Sequence, residues 1–167
     1  MRGPLHQFFA DDHRRLEALL DKATSSSPAY DMAAYAQFRS GLLKHIKMEE
    51  TILLPAAQRA QNGKPLDMAA RIRLDHGAIT ALLVPPPSPM ILRALRAILA
   101  AHDMIEEQPS GMYERLEELT GAEMNELVDR AKKTTDVPVH PHNEASFILD
   151  ATRRALARAG YNLDDYA

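Results

Sequence analysis

An all-α fold, arranged as an antiparallel up-down-up-down four-helix bundle with a C-terminal helical appendage, is predicted by three features of this 167-residue sequence. Strand-type alternation of β-branched residues is missing throughout. Ala, Leu, Met, Glu and Arg, which helices prefer, are abundant, while aromatic content is low and tryptophan is absent. Four long amphipathic stretches follow one another through short connections, which favours antiparallel neighbours.

The first helix is expected over residues 5–22, where Leu5, Phe9, Leu16 and Leu20 recur at helical spacing before Thr24-Ser25-Ser26-Ser27-Pro28 ends it. A second, long helix follows over residues 30–61. Its inward stripe includes Phe38, Leu42, Ile52 and Ala56, and Asn62-Gly63-Lys64-Pro65 stops it. Pro55 lies inside that span and predicts a kink or break. The third helix, residues 65–84, carries Ala69, Ile72, Ile79 and Leu83 on one side until Pro85-Pro86-Pro87 forbids continuation. Ser88-Pro89 reads as an N-cap followed by proline at the first helical position, opening a fourth helix with Leu95 and Leu99 facing inward.

Beyond Gln108-Pro109 the sequence changes character. A short acidic amphipathic piece spans residues 112–119, and Thr120-Gly121-Ala122-Glu123 fits a capping box for another short helix. A final helix is expected over residues 143–159, with Gly160 as its stop. Residues 1–119 are thus expected to form the bundle. Residues 120–167, a short stretch for an independent core, are expected to pack on it as an extension.

A net charge of −3 with scattered basic residues gives no reason to expect nucleic acid. The absence of cysteine removes disulfides, thiolate zinc sites, iron–sulfur clusters and cysteine nucleophiles, so any metal must be held by nitrogen and oxygen. Gly-x-Ser-x-Gly and glycine-rich phosphate loops are absent as well. The start, Met1-Arg2-Gly3-Pro4-Leu5-His6, lacks the apolar stretch of a secretory signal, and the longest apolar run, residues 78–84 broken by Thr80, is too short to span a bilayer. No membrane association is expected, and a cytoplasmic location is the default.

The chemistry lies in a repeat. Asp12-His13 is followed by His45-Ile46-Lys47-Met48-Glu49-Glu50, and Asp75-His76 by His102-Asp103-Met104-Ile105-Glu106-Glu107, as in a duplicated helical hairpin. His13 sits between Phe9 and Leu16, at steps of four and three, so its imidazole points where a core residue belongs. His45 and Glu49 fall between Leu42 and Ile52, and His76 between Ile72 and Ile79. His102 and Glu106 continue the stripe of Leu95 and Leu99.

Residues four apart stack on one helix face, so each His-x-x-x-Glu offers a nitrogen and a carboxylate to one point. An uncompensated buried carboxylate costs several kcal/mol, and a whole domain is stable by only about 5–15 kcal/mol. A cation is therefore expected among Glu49, Glu106 and the four histidines. Four imidazoles and two carboxylates suit iron, and also manganese or zinc.

On these residues the sequence resembles the hemerythrin-like (HHE) family over residues 5–107. The resemblance implies a non-haem di-iron centre, with His13, His45, His76 and His102 as terminal ligands and Glu49 and Glu106 bridging the two irons. It departs from the oxygen-carrying hemerythrins, which place two histidines a turn apart on the third helix; here Ile72 and Thr80 flank His76. Of about twelve positions on two six-coordinate irons, these six residues fill about eight. A more open site than a pure carrier's is expected.

The resemblance implies a protein that binds dioxygen or a related small ligand, such as another diatomic or peroxide, for sensing, storage or iron handling. A di-iron enzyme acting on dioxygen, peroxide or nitric oxide is the alternative, as is a metal-stabilised regulatory module whose protein partner the sequence does not name. A binding protein is favoured over a dedicated enzyme. Around the six ligands, Glu50 and Glu107 are expected to be solvated or paired with cations, and Asp12 and Asp75 to be exposed, because adjacent helix positions diverge. His6 is expected half-buried at a helix end, and His140-Pro141-His142 with Glu144 to be a turn. Met48, Met68 and Met104 read as core filler or helix surface.

Overall fold

The computed structural model describes residues 2–26 and 28–167. Ser27, in the serine run expected to end the first helix, and Met1, in the stretch read for a signal, lie outside the described residues. Among the described residues all regular structure is helical. None of these helices is long and apolar enough to cross a membrane.

The chain divides into two compact units, residues 1–66 with 107–139, and residues 67–106 with 140–167. Residues 120–167 are shared between them.

In the first unit, α1 (Pro4–Thr24) begins on a proline, whose missing N–H is no loss at a helix start. It packs along α2 (Met32–Met48). Asp31 caps α2, its Oδ1 accepting the Ala34 N–H at 2.9 Å. Leu5, Phe9, Leu16, Leu20, Phe38 and Leu42 are all buried, as their spacing predicts, each stabilising the fold by about 1.5–3 kcal/mol. Gly41 lies where the two helices cross. A Cβ there would come within 2.7 Å of Leu16 Cδ2.

The kink expected near Pro55 takes the form of a π-helical turn, Glu49–Leu53, followed by α3 (Leu54–Ala60). Pro55 has no N–H to continue the α ladder, and its ring crowds the preceding turn. The strain is absorbed upstream, where the Leu54 N–H bonds the Glu49 carbonyl instead. Such one-turn bulges often mark functional positions. Gly63, at φ 92°, supplies the left-handed turn that ends the segment.

Two further helices complete this unit. α6 (Met112–Thr120) packs on α1 and α3, and α7 (Met124–Lys132) on α1. The capping box expected at Thr120 does not form: its hydroxyl donates back to the Leu116 carbonyl at 2.7 Å, and a 3₁₀ turn, Gly121–Glu123, links the two helices.

The second unit holds α4 (Ala69–Leu82), α5 (Pro89–Glu107, whose last residue belongs to the first unit) and α8 (Ser146–Arg158). Ser88 Oγ accepts the Ile91 N–H at 3.3 Å, with Pro89 at the first helical position as expected. The buried stripe of α5 runs Ile91, Leu95, Ile98, His102, Glu106. Leu99, expected to face inward, is half-buried, and Ile98, four residues before His102, takes its place. α8 packs on α4. Gly160, at φ 85°, ends it, with the Tyr161 N–H bonding the Leu156 carbonyl at 2.9 Å.

Candidate metal centre

His13, His45, Glu49, His76, His102 and Glu106 are all buried, none more than 6 % exposed. Within the first unit, His13, His45 and Glu49 bring one ligand atom each to within 4.8 Å of one another; within the second, His76, His102 and Glu106 do the same. Helix spacing accounts for two of the three members of each cluster. His45 Nε2 lies 3.2 Å from Glu49 Oε1, and His102 Nε2 lies 3.0 Å from Glu106 Oε1, each pair one turn apart. The neighbouring helix supplies the third member.

The first cluster has a determined polarity. His13 Nδ1 donates to Glu107 Oε1 at 2.7 Å, and His45 Nδ1 donates to Asp12 Oδ2 at 2.8 Å. An ionised carboxylate only accepts, so both rings carry a proton on Nδ1 and point Nε2 inward. Those two Nε2 atoms stand 3.0 Å apart. Nitrogens that close need a proton or a metal ion between them, and Nδ1 held by a carboxylate with Nε2 turned inward is the arrangement of a metal-binding histidine.

The carboxylates behind the rings are held ionised. Burial alone would raise the Glu107 carboxyl, but His13 and Arg14 outweigh it and hold the group at about 2. Burial also opposes ionisation of Asp12; the hydrogen bond from His45 and the Arg15 guanidinium bring it below the usual carboxylate range. For His45, burial favours the neutral ring, yet Glu49 and Asp12 outweigh burial and His13 and raise its pKa. Tyr113, from α6, donates its hydroxyl proton to Glu49 Oε1 at 2.6 Å.

The second cluster repeats the plan with different supports. The His76 and His102 rings lie 4.9 Å apart between centroids, on α4 and α5. Asp75 Oδ2 faces His102 Nδ1 at 3.5 Å, a longer approach than that of Asp12 to His45. Asp75 Oδ1 accepts from Arg71 and, at 3.0 Å, from the Tyr161 hydroxyl, while the Arg71 guanidinium stacks on the Tyr161 ring 5.2 Å from its centroid. Burial would raise the Asp75 carboxyl; His102, Arg71 and Tyr161 together lower it.

Three expectations need correction. Asp12 and Asp75 are not exposed: Asp12 is half-buried and Asp75 fully buried. Adjacent positions on one helix do diverge, so Asp12 turns away from His13, but it turns towards His45 of the next helix. Asp75 likewise serves His102 and not His76. Glu107 does pair with a cation, Arg14, yet its oxygen also fixes His13. His6 is buried beside the Tyr113 ring and not half-buried; burial, then Arg2, lowers its pKa.

Sequence reasoning missed Tyr113, which the acidic character of residues 112–119 concealed. Among the described residues, no metal-holding group of three includes His140, His142 or Glu144. Met48 is buried, Met68 half-buried and Met104 exposed. Each buried cluster, two imidazoles and a carboxylate, fits a metal ion. No family model, curated protein or solved structure matches this chain.

Proposed function

We propose that this chain is a non-haem di-iron protein that binds dioxygen or a related small ligand, for sensing, storage or iron handling. His13, His45 and Glu49 would hold one iron and His76, His102 and Glu106 the other, as the hemerythrin-like resemblance implies. The antiparallel four-helix arrangement belongs to the same reading.

The observation that supports it is the duplicated cluster, two buried histidines and a buried glutamate occurring once in each unit, with an Asp behind the histidine of each His-x-x-x-Glu. A buried carboxylate next to imidazoles is tolerable when a cation satisfies it and costly when none does. Iron in nitrogen and oxygen ligation supplies reversible electron transfer and affinity for small oxygen- or nitrogen-containing ligands. The protein residues do the rest. Asp12 and Glu107 fix ring orientation and tautomer at the first cluster, Asp75 faces the ring of His102 at the second, and the buried walls exclude bulk water.

Metal analysis of protein purified aerobically without added metal tests this. About two irons per chain and the near-ultraviolet absorption of a bridged diferric centre are expected. Less than one tightly held transition metal per chain contradicts it.

A further inference from the structure

We propose that Tyr113 is a further ligand to the metal of the first cluster, its phenolate oxygen completing a set of two nitrogens and two oxygens with His13, His45 and Glu49. This rests on the metal-binding reading above and adds to it.

Tyr113 is fully buried, and its ring is held against Phe9 at 5.3 Å and His6 at 5.7 Å between centroids, which aims the hydroxyl inward. Its oxygen lies 2.6 Å from Glu49 Oε1, 3.2 Å from His13 Nε2 and 3.4 Å from His45 Nε2. Two further separations among these atoms are 3.0 Å between the two Nε2 atoms and 3.2 Å from His45 Nε2 to Glu49 Oε1. Metal bonds of about 2.1 Å to nitrogen and oxygen place two ligand atoms about 3.0 Å apart at a right angle and about 3.4 Å apart at the tetrahedral angle. Apart from the hydrogen-bonded Tyr113–Glu49 pair, every one of these separations falls in that window.

A phenol has one proton, and Tyr113 directs it to Glu49. Both imidazoles hold a proton on the far side, His45 towards Asp12 and His13 towards Glu107. The phenol oxygen and the two Nε2 atoms thus converge on one point, where a metal ion would bind all three. On coordination the phenol O–H bond breaks, its proton leaves to solvent, the oxygen–metal bond forms, and no electron is transferred; metal ions deprotonate bound ligands in this way.

The second unit differs. Its tyrosine near the cluster, Tyr161, bonds Asp75, behind His102, and not the ligand atoms. The two metals would accordingly be inequivalent, one with a phenolate and one without.

Resonance Raman and visible absorption of the full chain loaded with ferric ion test this. Tyrosinate ring modes, enhanced within a visible charge-transfer band and amounting to one phenolate per chain, are expected. In Tyr113→Phe, which removes only the oxygen and keeps the packed ring, band and modes vanish while the iron of the second cluster stays bound. Wild-type protein that binds iron without tyrosinate modes overturns the ligand role and leaves the six-residue metal reading intact. Modes that persist in Tyr113→Phe overturn it too, since another tyrosine would be the source. Failure of the wild type to bind iron removes both.

Discussion

An aspartate one position from a histidine, on the same helix, orients the histidine of a different helix. Asp12 and His45 form the better-made example, at 2.8 Å, and a carboxylate behind a ligating ring typically contributes 10–100-fold in metal affinity. Asp12→Asn is expected to weaken metal binding by about that factor, read by competition with a chromophoric chelator. Asp11→Asn, at an exposed position bonded to Gln7, should leave it unchanged. All six proposed ligands were legible in the sequence, because an imidazole or carboxylate on an apolar stripe declares its burial through spacing alone. Asp12, Glu107 and Tyr113 were not, because what a side chain meets on another helix depends on how the helices cross. Away from the clusters, Tyr35 is fully buried, and burial pushes its hydroxyl up to about 12 against the lowering effect of Arg39. A raised pKa means that its contribution is complete below the ordinary tyrosine value of about 10 and is lost as pH rises towards 12. Alkaline unfolding of Tyr35→Phe, followed by circular dichroism, should lack the stability loss that the wild type shows in that window.

At the level of helices, two glycines in similar local settings should respond oppositely to the same change. Gly77 is an exposed position inside α4 with nothing within 4 Å of an added Cβ, so Gly77→Ala should stabilise by about 0.5–1 kcal/mol through helix propensity. Gly41 has the same propensity to gain, but its Cβ would strike Leu16 at 2.7 Å, and overpacking costs about 1–3 kcal/mol. Gly41→Ala should therefore give no gain or a net loss in urea unfolding, and should also disturb the spacing of His13 and His45 on α1 and α2. The existence and order of the helices followed from periodicity and proline placement. The π turn at Glu49 followed only as a kink near Pro55, since proline dictates that the α ladder must break and not how the preceding residues rearrange. The failed capping box at Thr120 has a similar origin: the threonine hydroxyl had a competing acceptor in the Leu116 carbonyl, still inside the preceding helix.

For the whole molecule, composition and repeat made the helical class and the duplicated pattern of buried histidines and glutamates readable, but the grouping of helices was not readable from chain order. α7 returns to α1 and α8 to α4, so the stretch after residue 119, which looks like one extension in the sequence, serves both compact units. If cations compensate the buried carboxylates, stability must depend on them. Metal at a hundred times its dissociation constant stabilises the folded state by about 2.7 kcal/mol per site, and a chain of this size shifts its Tm by about 2–4 °C per kcal/mol. Stripping the metal with a chelator should lower Tm by at least about 5 °C, and adding ferrous iron back should restore it. Anomalous diffraction at the iron absorption edge, from crystals of protein purified without added metal, locates the cations themselves. Two peaks are predicted, one against His13, His45 and Glu49 and one against His76, His102 and Glu106; crystals with no anomalous density at either cluster would contradict the metal centre outright.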